Sequence, residues 1–291
     1  MKEIYQPKIS IITPSYNQGK YIEENILSVL NQDYQNFEHI IIDGGSTDNT
    51  VNILKRYPHL NWISEPDKGQ SDAYNKALKM ITGDLVLCLN TDDYLLNKNI
   101  FATVIAEINR VDITQYSTFM GNLFLCDENG NKIGEMNNKN RDYSFDDLLN
   151  KLPTVIHPAT FFRRECLNKT NGFAENIHYV MDYDIFLKIA KIAPIHSIPV
   201  HVSALRRHDS SKGCSDQRWR FSWEFVKVRI RNGGSIFNKM NFQPYKNIFY
   251  KVLGVRIVDL LKNSKVFNRI AIIIGIKKLN RLTWHDNEND H

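Results

Sequence analysis

The residues of this chain best suited to chemistry gather at the ends of short apolar runs. Leu85–Leu89 (LVLCL) reads as a buried strand that stops on Asn90-Thr91-Asp92-Asp93. Two adjacent carboxylates raise each other's pKa unless a cation or hydrogen-bond donors compensate. A hard divalent ion such as Mg2+ or Mn2+, bound by one or two carboxylates plus phosphate oxygens, is the natural compensator. Such an ion would neutralise a leaving diphosphate as a Lewis acid. Three more runs end on polar or glycine-rich residues: Lys8–Thr13 on Thr13-Pro14-Ser15-Tyr16, His39–Asp43 on Asp43-Gly44-Gly45-Ser46, and Leu60–Ser64 on Glu65-Pro66-Asp67-Lys68-Gly69. Ligands collect at the carboxyl ends of strands in open α/β sheets, so four such ends on one edge would converge on one ligand. Any single end is equally well a turn or a helix-capping loop, and Asp-Asp pairs are common on surfaces; the argument rests on the four together.

Helical patterns separate these runs. Lys20–Leu30 carries apolar residues at Ile22, Ile26, Val29 and Leu30. Asp48 is placed to cap a helix through Val51, Ile53 and Leu54, and Gln70–Ile81 forms the next. Strands alternating with helices predict a mostly parallel sheet covered on both faces. After Arg110 the pattern changes. Phe119–Cys126 and Lys132–Met136 read as strands around an Asp-Glu-Asn-Gly turn, followed by a polar stretch, Asn137–Tyr143. His157–Arg163 is a short extended piece, Asp184–Ala193 an amphipathic helix, and the chain beyond Ser215 is helical and basic.

Of 291 residues, 42% are hydrophobic and 24% charged, which predicts a packed core rather than disorder. The net charge of +5 is unevenly placed: from Lys227 to Arg281 there are thirteen Lys/Arg and one acid, Asp259. In Ile248–Lys262 and Lys265–Leu279 apolar residues are flanked by Lys and Arg, the pattern of a helix lying in a membrane interface. The same pattern also suits helices packed on the body with solvated lysines. No nucleic-acid motif accompanies the charge, so an anionic membrane surface is the expected partner and nucleic acid is not. Cys88, Cys126, Cys166 and Cys214 form no CxxC and are widely spaced, which predicts buried free thiols in a reducing compartment. The start, MKEIYQPKISIITPSYN, lacks the apolar region of a signal peptide. No apolar run reaches the about 18–20 residues of a bilayer span. A cytoplasmic protein, peripheral at the inner membrane face, is expected. There is no GxGxxG after the first strand, no GxxxxGK[ST] and no GxSxG, which disfavours dinucleotide-binding, P-loop and hydrolase readings.

The run ISIITPSYNQGKYIEENILSVLNQDYQNFEHIIIDGGSTDNTVNIL, then SEPDKGQSDAYNKAL, then GDLVLCLNTDD, resembles the nucleotide-binding half of a family 2 glycosyltransferase of GT-A fold. HPATFFRR, GFAENIHYVMDYDIFLKIA and LRRHDSSK resemble its acceptor half. The six blocks occur in order over roughly residues 8–212, and the likeness is to the bacterial subgroup that builds capsule, exopolysaccharide or O-antigen repeats. The resemblance implies a catalytic domain over 1–215, with a nucleotide half (1–110) and an acceptor half (111–215), before a basic helical region (216–291). It also implies a nucleotide-sugar donor, a glycan or lipid-linked acceptor, Mn2+ or Mg2+, and inversion at the anomeric carbon by a single displacement.

The resemblance assigns roles by position. Thr13, Pro14 and Tyr16 would line base and ribose. Asp43 would accept the imide N–H of uracil or guanine, favouring UDP- or GDP-sugars over CMP-sugars. Asp67 and Lys68 would lie beside the nucleotide, Asp92 would hold the ribose, and Asp93 would bind the metal, with His208 completing that site or touching the diphosphate. The general base would be Asp182, in Met181-Asp182-Tyr183-Asp184, where Met181 replaces the family's usual acid; as a purely structural residue Asp182 would instead cap the following helix. His157 is expected to be structural, with the acceptor pocket as its other placement. Two further readings are a catalytically inactive sugar-nucleotide-binding or scaffold subunit, prompted by Met181, and a sugar-phosphate nucleotidyltransferase. The latter needs a glycine-rich basic loop after the first strand, where TPSYNQGKY has one glycine.

Overall fold

The computed structural model describes residues 5–151, 155–208 and 218–235. Contacts divide the chain into two units, Met1–Asp216 and Gln217–His291. The first begins with β1 (Ile9–Ser15), α1 (Ile22–Leu30), β2 (Phe37–Asp43), α2 (Thr50–Leu54), β3 (Asn61–Ser64), α3 (Gln70–Leu78) and β4 (Leu85–Cys88). β5 (Tyr94–Leu95), α4 (Ile100–Ile108), β6 (Thr118–Cys126), β7 (Lys132–Met136) and α5 (Phe145–Asn150) follow. A 3-10 turn then leads into β8 (Thr160–Arg163), α6 (Arg164–Leu167), α7 (Met181–Ala190) and β9 (Ile195–Arg206). The described part of the second unit is one helix, α8 (Arg218–Arg231).

The strands form one sheet in the order β3-β2-β1-β4-β8-β6-β9-β5, with β7 paired to β6. The expectation of a parallel sheet holds throughout β3-β2-β1-β4. Beyond β4 the sheet is mixed, because β8 runs antiparallel to both its neighbours, β4 and β6. Two antiparallel steps restore direction, and β9 is parallel to β6. The carboxyl end of β9 therefore lies on the same edge as those of β1 to β4. β9 went unpredicted because Pro199 and the alternating His and Ser residues of IHSIPVHVSALR hide its apolar face.

β1 continues through Pro14, where the sequence reading ends it. Ile12 accepts from Leu89 N–H on the β4 side, and Ser15 accepts from Gly44 N–H on the β2 side. Pro14 thus faces β4 with its missing N–H, where β4 has already ended. Its carbonyl accepts from Thr91 Oγ1 at 2.5 Å instead. The strand interiors are fully buried at Ile9, Ile11, Ile12, Ile40, Ile41, Ile42, Leu85, Val86 and Leu87. Ile22 and Ile26 of α1 pack with Ile41, Ile53, Leu54 and Leu60. Each such side chain contributes about 1.5–3 kcal/mol on burial, and this holds the strand ends rigid. Asp48 accepts from Thr50 N–H at the start of α2 and from Gly19 N–H, tying two loops together. Cys88, Cys126 and Cys166 are buried free thiols; Cys214 and the stretches Ile248–Lys262 and Lys265–Leu279 lie outside the described residues.

Candidate functional site

A cleft of about 470 Å³ opens at the carboxyl edge of the sheet. Pro14, Ser15 and Tyr16 reach it from β1, Asp67, Gly69 and Gln70 from the β3–α3 connection, and Asn90 to Asp93 from β4. Leu205, Arg206 and His208 reach it from β9, the wall that sequence reasoning missed. Tyr16 is 60% exposed, an aromatic face available for stacking.

The Asn90–Asp93 loop is pinned from several sides. Asn25, buried on the apolar face of α1, donates to the carbonyls of Asn90 and Asp93. Gln70 and Tyr74 of α3 donate to Asn90 Oδ1 at 2.7 and 2.9 Å. A buried polar residue amid Ile22, Ile26 and Val29 was the available sequence signal for this role. Arg206, 4% exposed, closes the other side. Its Nε donates to Asp92 O at 3.1 Å, its Nη1 to Glu128 O at 2.8 Å, and its Nη2 pairs with Glu24. The guanidinium also lies 5.0 and 5.3 Å from the ring centres of Tyr21 and Tyr94.

The two adjacent aspartates have different surroundings. Asp93 is 2% exposed. Its Oδ1 accepts from Arg206 N–H at 3.1 Å and its Oδ2 from Asn90 Nδ2 at 3.0 Å. Burial, then the neighbouring Asp92 charge, pushes Asp93 well above the usual carboxylate range, and the donors from Arg206 and Asn90 offset part of that. Asp92 instead meets His208, with Oδ2 3.0 Å from Nε2, and the imidazole stacks on Tyr21. Among the described residues no group of three or more His, Cys, Asp or Glu side chains converges as a ready metal cage. A carboxylate and an imidazole side by side in a cleft do fit an ion whose remaining ligands are phosphate oxygens and water. Asp92 and His208 form such a pair, and Asp93 lines the same cleft with each of its oxygens accepting one hydrogen bond from the protein.

Other predicted residues fall outside the cleft. Thr13 is buried, with Oγ1 3.0 Å from His39 Nε2 between β1 and β2; burial, with His59 nearby, pushes His39 down to about 3, so its ring is neutral. Asp43 is fully buried and does not line the cleft. Its oxygens accept from Ser46 N–H at 2.9 Å, Ser46 Oγ at 2.5 Å and Ser64 Oγ at 2.6 Å. Lys68 points outward, its Nζ 3.8 Å from Glu175 Oε2. His157 is buried against Tyr74, Phe162, Phe173 and Phe186. Burial pushes it down to about 4, which makes it a neutral core residue.

α7 begins at Met181, three residues before the expected start, so Asp182 stands inside the first turn and Val180 is the cap. Asp182 is half-buried, and its Oδ1 accepts from Tyr183 N–H at 2.7 Å. Asp184 is fully buried and paired with Lys188 at 2.7 Å, a structural ion pair. Met181 Sδ accepts from Ser71 Oγ at 3.1 Å. That contact seats the start of α7 against the first turn of α3, next to Gln70 of the cleft.

Comparison with known proteins fits this arrangement. The family description "Glycosyl transferase family 2" matches residues 10–170. The chain is 32% identical over 196 residues to chondroitin synthase of Escherichia coli, covering 66% of this chain and 28% of that protein. It is 28% identical over 307 residues to hyaluronan synthase of Pasteurella multocida, covering 95% and 30%. The chain thus spans less than a third of these relatives. Among solved structures it is similar to S. aureus TarS 1–349 in complex with UDP-GlcNAc, with a TM-score of 0.62 at 20% identity, covering 90% of this chain and 77% of that one. It is also similar to the mannosyltransferase PcManGT from Pyrobaculum calidifontis in complex with GDP-Man and Mn2+, with a TM-score of 0.60 at 18% identity, covering 92% and 81%. The fold is GT-A, and the chain belongs to glycosyl transferase family 2.

Proposed function

We propose that this chain transfers a sugar from a nucleoside diphosphate donor to a hydroxyl of a glycan or lipid-linked acceptor, with inversion, in the assembly of a polysaccharide. The observation that carries the reading is the convergence of the ends of β1, β4 and β9 and of the connection after β3 on one cleft, to which the end of β2 adds nothing, with an exposed aromatic at one wall and the Asp92–His208 pair at another. The relatives named chondroitin and hyaluronan synthase, and the neighbours bound to UDP-GlcNAc and GDP-Man, support it.

In this reading Tyr16 stacks on the base, and Asp92 with His208 holds Mn2+ or Mg2+. The ion, when bound, offsets the negative charge of the diphosphate. The acceptor oxygen attacks the anomeric carbon as the bond from that carbon to the diphosphate breaks, and Asp182 takes the acceptor's proton. The products are the new glycoside and the nucleoside diphosphate, with no covalent sugar–protein intermediate. Arg206 fixes the loop that carries Asp92, so the pair is positioned before the donor arrives.

A panel of nucleotide sugars tests the class. In Mn2+ a UDP- or GDP-sugar at about 100 times its Kd should stabilise the fold by about 2.7 kcal/mol, seen as a raised thermal midpoint, and should support transfer to an added acceptor. A fold unmoved by every nucleoside diphosphate would overturn the assignment. Binding without transfer to any glycan or lipid-linked acceptor would favour an inactive binding subunit.

The second unit supports contact with an anionic membrane. Along α8, Arg220, Trp223, Lys227, Ile230 and Arg231 are exposed and fall on one face at helical spacing. Trp223 is 50% and Ile230 41% exposed, and Lys227 Nζ lies 5.5 Å from the Trp223 ring centre. An apolar strip edged by cations suits the interface of an anionic leaflet. No helix among the described residues is long and apolar enough to cross a membrane. The full chain should float with anionic vesicles at low salt and much less so once Trp223 and Lys227 are both replaced by Ala. Equal recovery of both proteins in the soluble fraction would remove the membrane from the reading.

A further inference from the structure

We infer that the carboxylate selecting the donor's base is Asp67 rather than Asp43, and that residue 44 is glycine because Asp67 occupies the space its side chain would need. This deepens the proposed function and rests on its nucleoside diphosphate donor.

Base selection by a carboxylate requires an oxygen that faces the ligand with a lone pair to spare. Asp43 sits at the end of β2, but it is fully buried, absent from the cleft wall, and engaged by Ser46 and Ser64 of its own chain. Those bonds make Asp43 the clasp of the β2 turn. Asp67 lines the cleft with Tyr16. Its Oδ1 accepts from Gly69 N–H at 2.8 Å, which sets the plane of the carboxylate and turns the other oxygen toward Gly44.

The position of Oδ2 explains the glycine. A Cβ built on Gly44 would lie 2.7 Å from Asp67 Oδ2, closer than real Cβ contacts come, and a tight 3.1 Å from its Cγ, so the Asp67 carboxylate would have to move aside. Backbone conformation does not require glycine there, since Gly45, and not Gly44, has a positive φ. The requirement is space, and Asp67 fills it. The connection after β3 thus delivers a carboxylate to the end of β2, into the place a side chain on residue 44 would take.

A carboxylate only accepts hydrogen bonds. Asp67 Oδ2 therefore selects bases whose imide position carries N–H, uracil and guanine, over cytosine, whose ring nitrogen there is an acceptor. In Asp67→Asn the amide oxygen is retained by Gly69 N–H, so the amino group replaces Oδ2 and opposes an imide N–H.

The test is calorimetric binding of UDP, GDP and CDP to the full chain in Mn2+. Asp67→Asn should weaken the better of UDP and GDP by about 10–100-fold, the usual worth of a hydrogen bond to a charged group, and should narrow or reverse the preference over CDP. Gly44→Ala should weaken the same ligand in the wild-type background but add little in Asp67→Ala, because the clash partner is gone; this coupling is not produced by general loss of structure. Asp43→Asn should lower the thermal midpoint while the folded protein keeps its preference over CDP. If the wild type binds UDP or GDP and Asp67→Asn leaves both affinity and preference unchanged, or if Asp43→Asn alone erases the preference, the inference is wrong and the donor class stands. If the wild type binds no nucleoside diphosphate, both fall.

Discussion

Replacing Asp182 by Asn is expected to lower kcat by about 10²–10⁴-fold, the range that general-base loss typically costs, while donor affinity barely moves. The expectation rests on the different surroundings of two aspartates two residues apart on α7. Asp184 is buried and neutralised by Lys188, so it cannot reach an acceptor without breaking a structural ion pair. Asp182 is half-buried in the first turn of the same helix, which Met181 seats beside the cleft-lining start of α3. The measurements are initial rates with saturating donor and acceptor, paired with donor binding at equilibrium. A folded Asp182→Asn protein that turns over at the wild-type rate would remove this residue from proton transfer. Asp184→Asn should act differently, lowering the thermal midpoint through the stranded Lys188.

Loss of the Asp92 carboxylate is the second large effect. Asp92→Asn should cut kcat/KM by about 10²–10³-fold, as removal of one group that stabilises developing charge typically does, and should raise the Mn2+ concentration needed for half-maximal activity. His208→Ala should shift the Mn2+ requirement the same way, because the two side chains meet at 3.0 Å. Asp93→Asn should leave that requirement in place, since its oxygens serve Arg206 and Asn90. A metal titration of the three variants decides between the aspartates. If Asp93→Asn alone shifts the requirement, the metal belongs to Asp93, and full activity after EDTA treatment would mean that no metal is needed.

The different surroundings of these two neighbours mark where sequence reasoning reached its limit. The strand ends at Thr13, Asp67 and Asn90 were legible because apolar runs closed by Gly, Pro or Asp mark where a sheet meets solvent. What each neighbour does there was not. Thr13 and Pro14 are adjacent in a strand, so their side chains point to opposite faces, and of the two only Pro14 lines the cleft. Asp92 and Asp93 are equivalent on the page until Arg206 supplies the N–H that takes one of them inward. Asp43 reads as an accessible strand-end acid until Ser46 and Ser64 engage it. Each distinction depends on a partner in another loop or a distant strand, information that local pattern does not carry.

The cleft also has an order of assembly. β1 to β4 pair among themselves through strands that all lie within the first 88 residues. The wall carrying Arg206 and His208 arrives through a strand whose bond to the Asp92–Asp93 loop spans 113 residues of sequence. Contacts of such long separation carry the larger loop-closure cost and form late. On a chain emerging from the ribosome, the strand that carries Tyr16 would be made long before the one that carries Arg206 and His208. The cleft would therefore be complete only once β9 had closed beside β6, and a chain interrupted before residue 195 would lack that wall.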